Sequence, residues 1–439
     1  MAGSYWIETL GCPKNQVDSD KLSGVLEADG LSAADGPADA DLVVINTCAF
    51  IDAARQESID TILALTDVRR PGARIVVTGC LAERSGPELA DALPEVDLVA
   101  GFGERTDEWS APVALVPKPA PLRMDLLNLP RPAARAPWAY VKVAEGCDRA
   151  CGFCAIPSFR GRQRSRTLES ILAEVDSLGV AEIVLVAQDL ASYGRDIGQA
   201  GAIHELVAEA AQLVPRVRLL YLYPSELNQR LVDTVCSTGL PYFDLSLQHV
   251  SRPLLRRMRR WGDGRRFLDR ISAIRARQPD AAFRSSFIVG YPGETEEDHD
   301  QLLTFLEEAQ LDWAGFFPYS REEGTYSDRL DGHVEPALVA ERISELTDLQ
   351  DRITTTRRAA LIATETEVLV DAPGTGRSHR EAPEIDGVIE LPDDLPVGSM
   401  VPVRIVDANG PDLEAVPVGE ARPVAPRWDS GPVEATAWA

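Results

Sequence analysis

The sequence predicts an α/β chain in three parts: an N-terminal parallel-sheet α/β domain, a partial (β/α)6 barrel, and a small all-β barrel at the C-terminal end. Three observations predict it. Short apolar runs alternate with helix-period segments up to about residue 103 and again from Trp138. Seven prolines between residues 111 and 137 separate these two stretches. After Ala363 the helical pattern gives way to strand-like runs broken by Gly and Pro at short intervals.

In the first stretch the strand candidates are residues 5–10, 42–46, 75–78 and 96–99, with helical periodicity over 17–28, 53–65 and 86–93. Strands alternating with helices imply a parallel sheet covered on both faces. A cysteine follows each of the first three strands within one or two residues: Cys12, Cys48 and Cys80. The carboxyl ends of parallel strands lie along one edge, where ligands bind, so three cysteines far apart in sequence should converge there. The proline-dense segment can be neither helix interior nor central strand and reads as an extended linker.

Beyond it, strands are expected at 138–143, 182–186, 218–223, 242–247, 283–289 and 313–318, with helices at 167–178, 203–213, 227–237, 267–277, 296–309 and 336–360. Six such units are too few to close an eight-stranded barrel, and an open, partial one fits. Cys147, Gln188, Gln248 and Gly290 then fall at strand carboxyl ends. The last texture, with strands at 366–370, 387–391, 401–405 and 413–418, reads as a small β-barrel. The expected division is 1–110, a linker at 111–137, 138–362 and 363–430.

Charge and cysteine usage narrow the chemistry. With 44 Lys+Arg against 69 Asp+Glu the net charge is −25, which argues against a general nucleic-acid coat and suits either a basic partner or mere solubility. The longest apolar runs are strand-sized, so no membrane span is expected, and the first ten residues lack the features of a secretion signal. A cytoplasmic, reducing setting follows as an expectation, in which cysteines serve as ligands or catalysts rather than disulfides.

The segment Glu145-Gly146-Cys147-Asp148-Arg149-Ala150-Cys151-Gly152-Phe153-Cys154 has the spacing C-x3-C-x2-C. Three thiolates within eight residues can wrap one corner of an iron–sulfur cube and leave one iron open. A zinc site on the same cysteines would lack its fourth ligand, because none of the five histidines lies near this loop. In its place after the first barrel strand, the motif resembles that of the radical S-adenosylmethionine (SAM) enzymes. There the open iron chelates SAM, and an electron from the cluster splits the cofactor to a carbon radical. By that resemblance Phe153 would lie near the adenine and Gln188 near the amino group of SAM. Gln248 is a further candidate contact. Phe153 is equally readable as a loop-packing aromatic.

Gly11-Cys12-Pro13-Lys14-Asn15, Asn46-Thr47-Cys48 and Thr78-Gly79-Cys80 look like the cluster signatures of the radical SAM methylthiotransferases. That family joins a three-cysteine domain, a radical SAM barrel and a β-barrel called TRAM, so the resemblance covers essentially the whole chain. It implies two [4Fe-4S] clusters, on Cys12, Cys48 and Cys80 and on Cys147, Cys151 and Cys154. It also implies one SAM as methyl donor, another as radical source, and an electron donor such as flavodoxin or ferredoxin. A non-enzymatic cluster carrier would instead ligate each cluster fully with cysteine. Cys236 fits neither triad and reads as a small buried hydrophobe.

The family has tRNA-modifying branches and a protein-modifying branch, the RimO type, which methylthiolates an aspartate of small-subunit ribosomal protein twelve. Pro13-Lys14-Asn15, the run from Ala155 to Gly161, and the run from Ser378 to Gly387 resemble the latter. Residues 361–439 carry 15 Asp+Glu against 5 Arg and no Lys, which favours the ribosomal protein, or the particle carrying it, over tRNA as partner. Two arginine groups, Arg252 to Arg270 and Arg160, Arg162, Arg164 and Arg166, read as solvated faces or as contacts to RNA or an acidic loop. No side chain is expected as general base: an unactivated β C–H is not acidic enough for one near neutral pH, and abstraction by a carbon radical needs none, so His249 is given no such role. The loop Gly290–Thr295 is either a plain strand-to-helix turn capped by Thr295 or a close approach to a ligand.

Overall fold

The computed structural model describes residues 3–102, 104, 109 and 125–424. Its first five strands, β1 (Ser4–Thr9), β2 (Ser32–Ala33), β3 (Leu42–Thr47), β4 (Arg74–Gly79) and β5 (Leu98–Val99), form one parallel sheet in the order β2-β1-β3-β4-β5. Helices α1 (Pro13–Ala28), α2 (Asp52–Val68) and α3 (Cys80–Ala92) cover it. Strand β3 shows why both faces need cover. Its Val43 and Ile45 pack with Ile62, Leu65 and Leu81 on one side, while Leu42 and Val44 pack with Leu22 and Leu26 on the other.

Two helices begin earlier than the periodicity implied. α1 starts immediately after Cys12, with Pro13 at a position that has no backbone donor to lose. α3 starts at Cys80 itself and carries a kink at Ser85 before Pro87, so only its later part shows helical periodicity in sequence. Of the proline-rich segment, residues 111–124 lie outside the described residues, and 125–137 form one short turn, Leu126–Asn128, and no strand.

The barrel strands run in chain order. β6 (Trp138–Lys142) is followed by the clip β7 (Ala144–Glu145), helix α4 (Ile156–Phe159) and β8 (Arg164–Ser165). β7 and β8 pair antiparallel and so bracket the Cys147–Cys154 loop. Next come α5 (Leu168–Leu178), β9 (Glu182–Val186), α6 (Ile203–Leu213), β10 (Arg216–Leu219) and α7 (Gln229–Ser237). β11 (Tyr242–Gln248), α8 (Arg252–Arg257), α9 (Gly264–Arg277), β12 (Ala282–Val289), α10 (Glu296–Ala309), β13 (Trp313–Pro318) and α11 (Pro336–Ala359) complete it. Strands β6, β9 and β10 form one parallel sheet and β11, β12 and β13 another, with a single bridge, Leu222 to Leu245, between them.

That seam corrects the expected strand at 218–223. Tyr221 adopts φ +61°, a left-handed conformation that ends the ladder, and its N–H donates to the Asp244 carboxylate (2.9 Å) instead of to a neighbouring strand. The expected strand at 96–99 shortens to β5. Helices α4 and α8, of four and six residues, were too short to show a period.

The last strands are β14 (Glu365–Ala372), β15 (Thr375–Arg377), β16 (Ile389–Glu390), β17 (Ser399–Asn409), β18 (Asp412–Pro417) and β19 (Arg422–Pro423). β14 pairs with both β15 and β17, so the order β14-β15-β16-β18-β17 closes on itself around Val368, Val370, Ile389, Val401, Val403 and Leu413. Residues 425–430 of the expected last part lie outside the described residues. Among the described residues no helix is long and apolar enough to cross a membrane.

Candidate active site

The first cysteine triad gathers at the carboxyl ends of β1, β3 and β4. Parallel register sets Thr9 beside Asn46 and Thr47 beside Gly79, which fixes the three following loops together. Gly11, at φ +93°, lets Cys48 come so close that a Cβ there would lie 2.7 Å from its Sγ. Asn15 ties the loops by donating to the carbonyls of Leu10 (2.8 Å) and Thr47 (3.0 Å). Burial first, then the neighbouring thiols of Cys12 and Cys80, push the Cys48 thiol up to about 12. Burial also opposes ionisation of Cys12, but Lys14 and Arg160 bring it below the ordinary thiol range.

The second triad lies on the loop between β7 and β8. The Gly152 N–H donates to the Met258 carbonyl (2.8 Å), the Ser327 N–H donates to the Gly152 carbonyl (2.8 Å), and Arg260 Nη1 donates to Cys151 Sγ (3.4 Å). Burial raises Cys147 to about 11 and Cys154 to about 12. Among the described residues no three His, Cys, Asp or Glu side chains close on a single metal ion. An iron–sulfur cube holds its thiolates on separate irons, so a triad need not close on one point. Thiols flanked by Arg160 and Lys14 in one place and by Arg260 in the other suit an anionic cluster.

Around the second triad stand the other expected contacts. Gln188, just past β9, donates through Nε2 to Glu145 Oε1 (2.9 Å), while its buried Oε1 has no partner and is open to a donor such as an amine. Gln248 ends β11 at φ +73°, a strained conformation for a residue other than glycine. Phe153 is half-buried and packs against the barrel core. Arg149 pairs with Asp189 (2.6 Å) and Glu226 (2.9 Å) and lies over the Tyr223 ring (4.0 Å).

The structure also settles several alternatives. Thr295 caps α10 in a reciprocal capping box with Asp298, and a Cβ at Gly290 would strike Val339 at 2.4 Å, so this loop is a packed turn. Cys236 is partly buried against the barrel core, apart from both triads. The Arg160 to Arg166 group is not one solvated face: Arg160 and Arg166 are buried, and Arg162 is 90% exposed. In the other group, Arg265 and Arg266 are exposed and paired with Asp269 and Asp263, whereas Arg260 turns inward to Cys151. Lys142, which the sequence did not single out, bonds both Asp18 and Glu145, and Lys14, from the Pro13-Lys14-Asn15 run, stands 3.5 Å over the Tyr221 ring. Their partners come from segments up to 207 positions away, which leaves no local pattern to read.

Three family models match in order: an uncharacterised protein family, UPF0004, over residues 4–101, the radical SAM superfamily over 141–306, and the TRAM domain over 362–418. The ribosomal protein uS12 methylthiotransferase RimO of Cutibacterium acnes is 40% identical, with 93% of this chain and 97% of the relative covered. The proteins of that name from Moorella thermoacetica and Chloroflexus aurantiacus are 42% and 39% identical, over 90% and 93% of this chain and 95% and 98% of theirs. The chain belongs to the RimO-type radical SAM methylthiotransferases. As such it is an enzyme of SAM and iron–sulfur chemistry, and the methylthiotransferase fold is the three-part α/β, partial-barrel and TRAM arrangement described above.

Proposed function

We propose that this methylthiotransferase replaces one β hydrogen of an aspartate in ribosomal protein uS12 with SCH3, using one SAM as methyl donor and one as radical source. The observation that carries the choice of substrate is the charge of its TRAM domain. All four arginines described there are in ion pairs: Arg377 with Asp371, Arg380 with Asp280, Arg404 with Glu365 and Arg422 with Glu367. Asp393, Asp394, Asp407, Glu414 and Glu420 remain exposed. Such a surface repels phosphates and attracts a basic ribosomal protein, free or within the ribosomal particle.

Two [4Fe-4S] clusters fit the residues present, one on Cys12, Cys48 and Cys80 and one on Cys147, Cys151 and Cys154. When bound, they and SAM supply the radical and methyl-transfer chemistry. The chain's part is to hold and orient. Arg260 holds Cys151 in place, Gln188 offers its free Oε1 to the amino group of SAM, and Gln248 and Phe153 would contact the rest of the cofactor. The functional division is 1–110, 138–362 and 363–430, joined by the segment 111–137. The reductant is an electron carrier such as a flavodoxin or ferredoxin, and the reaction belongs to the cytoplasm.

The test is anaerobic. Protein reconstituted with iron and sulfide receives SAM, dithionite and a sulfide source, with either a peptide carrying the uS12 aspartate loop or an adenosine-containing tRNA anticodon stem-loop. A gain of about 46 Da, hydrogen replaced by SCH3, on the peptide alone is expected. A gain on the RNA alone refutes the proposal.

A further inference from the structure

Arg160 sits where the two cluster loops approach each other. It follows α4 in the sequence, directly beyond the second triad, yet its side chain reaches back across the domain junction and is buried. Every N–H of its guanidinium is used. Nη2 donates to Asn15 Oδ1 (2.6 Å) and to Cys80 Sγ (3.0 Å), and Nε donates to the same Sγ (3.4 Å). Nη1 donates to Glu145 (2.8 Å) and Asp18 (3.1 Å). The plane lies over the Phe102 ring at 4.5 Å. One rigid fork thus joins a thiol of the first triad to the strand residue that precedes Cys147 by two positions.

Geometry of this kind has two consequences. A planar fork with five fixed donors sets the relative position of its acceptors far more tightly than a flexible ammonium can. Hydrogen bonds to a ligating sulfur also stabilise the more negative, reduced form of an iron–sulfur cluster. A charge-neutralising role alone would need no donor on sulfur, because Asp18 and Glu145 already meet Lys142.

We infer that Arg160 is a positioning residue that fixes the spacing of the two cluster loops and, through its two N–H···S bonds to Cys80, raises the reduction potential of the cluster held by Cys12, Cys48 and Cys80. The inference rests on the reading that this triad ligates a cluster. Among the described residues Arg160 is the only arginine hydrogen-bonded to a thiol of that triad, which makes it addressable by isotope.

The experiment uses the full chain with Cys147, Cys151 and Cys154 changed to alanine, so that only the first cluster remains, grown with 15N-labelled arginine. Pulsed EPR of the reduced cluster is expected to show a 15N hyperfine coupling. R160K, which keeps the charge but not the fork, loses that coupling and shifts the midpoint potential downward. The labelled protein with Arg160 intact needs no substitution at the site and tests the N–H···S bonds by itself. Iron present without 15N coupling overturns the inference and leaves the cluster assignment standing. A protein that takes up no iron overturns that assignment, and the inference with it.

Discussion

On the N-terminal side of the barrel, Lys142, Asp18, Glu145 and Arg160 share their buried charges with the thiol of Cys80. On the C-terminal side, Glu182 gathers Arg218 (2.8 Å), Arg377 (3.2 Å) and Arg216 (3.5 Å), and their further partners are carboxylates and carbonyls of the TRAM domain. Both junctions bury ion pairs at similar depth. The first ends on a cysteine thiol, the second on a joint. The second also explains the outer surface: by drawing Arg377 and Arg380 into the joint, it leaves the exposed face of the TRAM domain acidic. Buried charge is therefore a poor marker of function until its termini are traced.

The comparison can be broken most forcefully at Glu182. E182Q leaves three buried arginines without their shared carboxylate, and stability should fall by about 3–5 kcal/mol in urea unfolding. Iron content should stay unchanged, because no cysteine touches this network. A loss of iron with little loss of stability would show that the joint is part of the site.

Titration separates the two sources of acid sensitivity. Burial alone would raise Glu182, but Arg218, Arg377 and Arg216 overcome it and hold the carboxyl at about 2. A folded value below the unfolded one gives stability that is present at neutral pH and lost as pH falls from 4.5 toward 2, roughly 3 kcal/mol in all. His249 behaves differently. Burial first, with His299 and Arg342 adding to it against Asp298, lowers its imidazole to about 4. The unfolded chain therefore takes up that proton first, and stability drops by roughly 3 kcal/mol as pH falls from 6.5 to 4. Urea midpoints for the wild type and H249N at pH 7 and 4.5 should converge as the pH falls.

Smaller effects sharpen the same picture. C236A should keep all iron and change stability by less than about 1 kcal/mol, since this thiol only packs against the barrel core. R265A removes an exposed pair with Asp269 and should stay within about 0.5 kcal/mol in thermal unfolding.

The fold was largely legible because burial on two sheet faces writes a period into the sequence. The cysteines of the first triad could be read from their place after β1, β3 and β4. What escaped was whatever depends on contacts across a junction. Arg160 and Arg162 are two positions apart, yet one donates to Cys80 and the other faces solvent, and nothing local distinguishes them. The end of β10 was missed because Tyr221 leaves the strand by a left-handed turn that no composition signal marks.

The central claim is that two independent cysteine triads each hold a cluster, and that only the second splits SAM. Its most direct measurement is iron and sulfide content, with SAM cleavage under dithionite, for two variants: Cys12, Cys48 and Cys80 to alanine, and Cys147, Cys151 and Cys154 to alanine. Each should retain about half the parent's iron, and only the first should still release 5′-deoxyadenosine. Parental iron in either variant, or cleavage surviving loss of the second triad, would contradict the account.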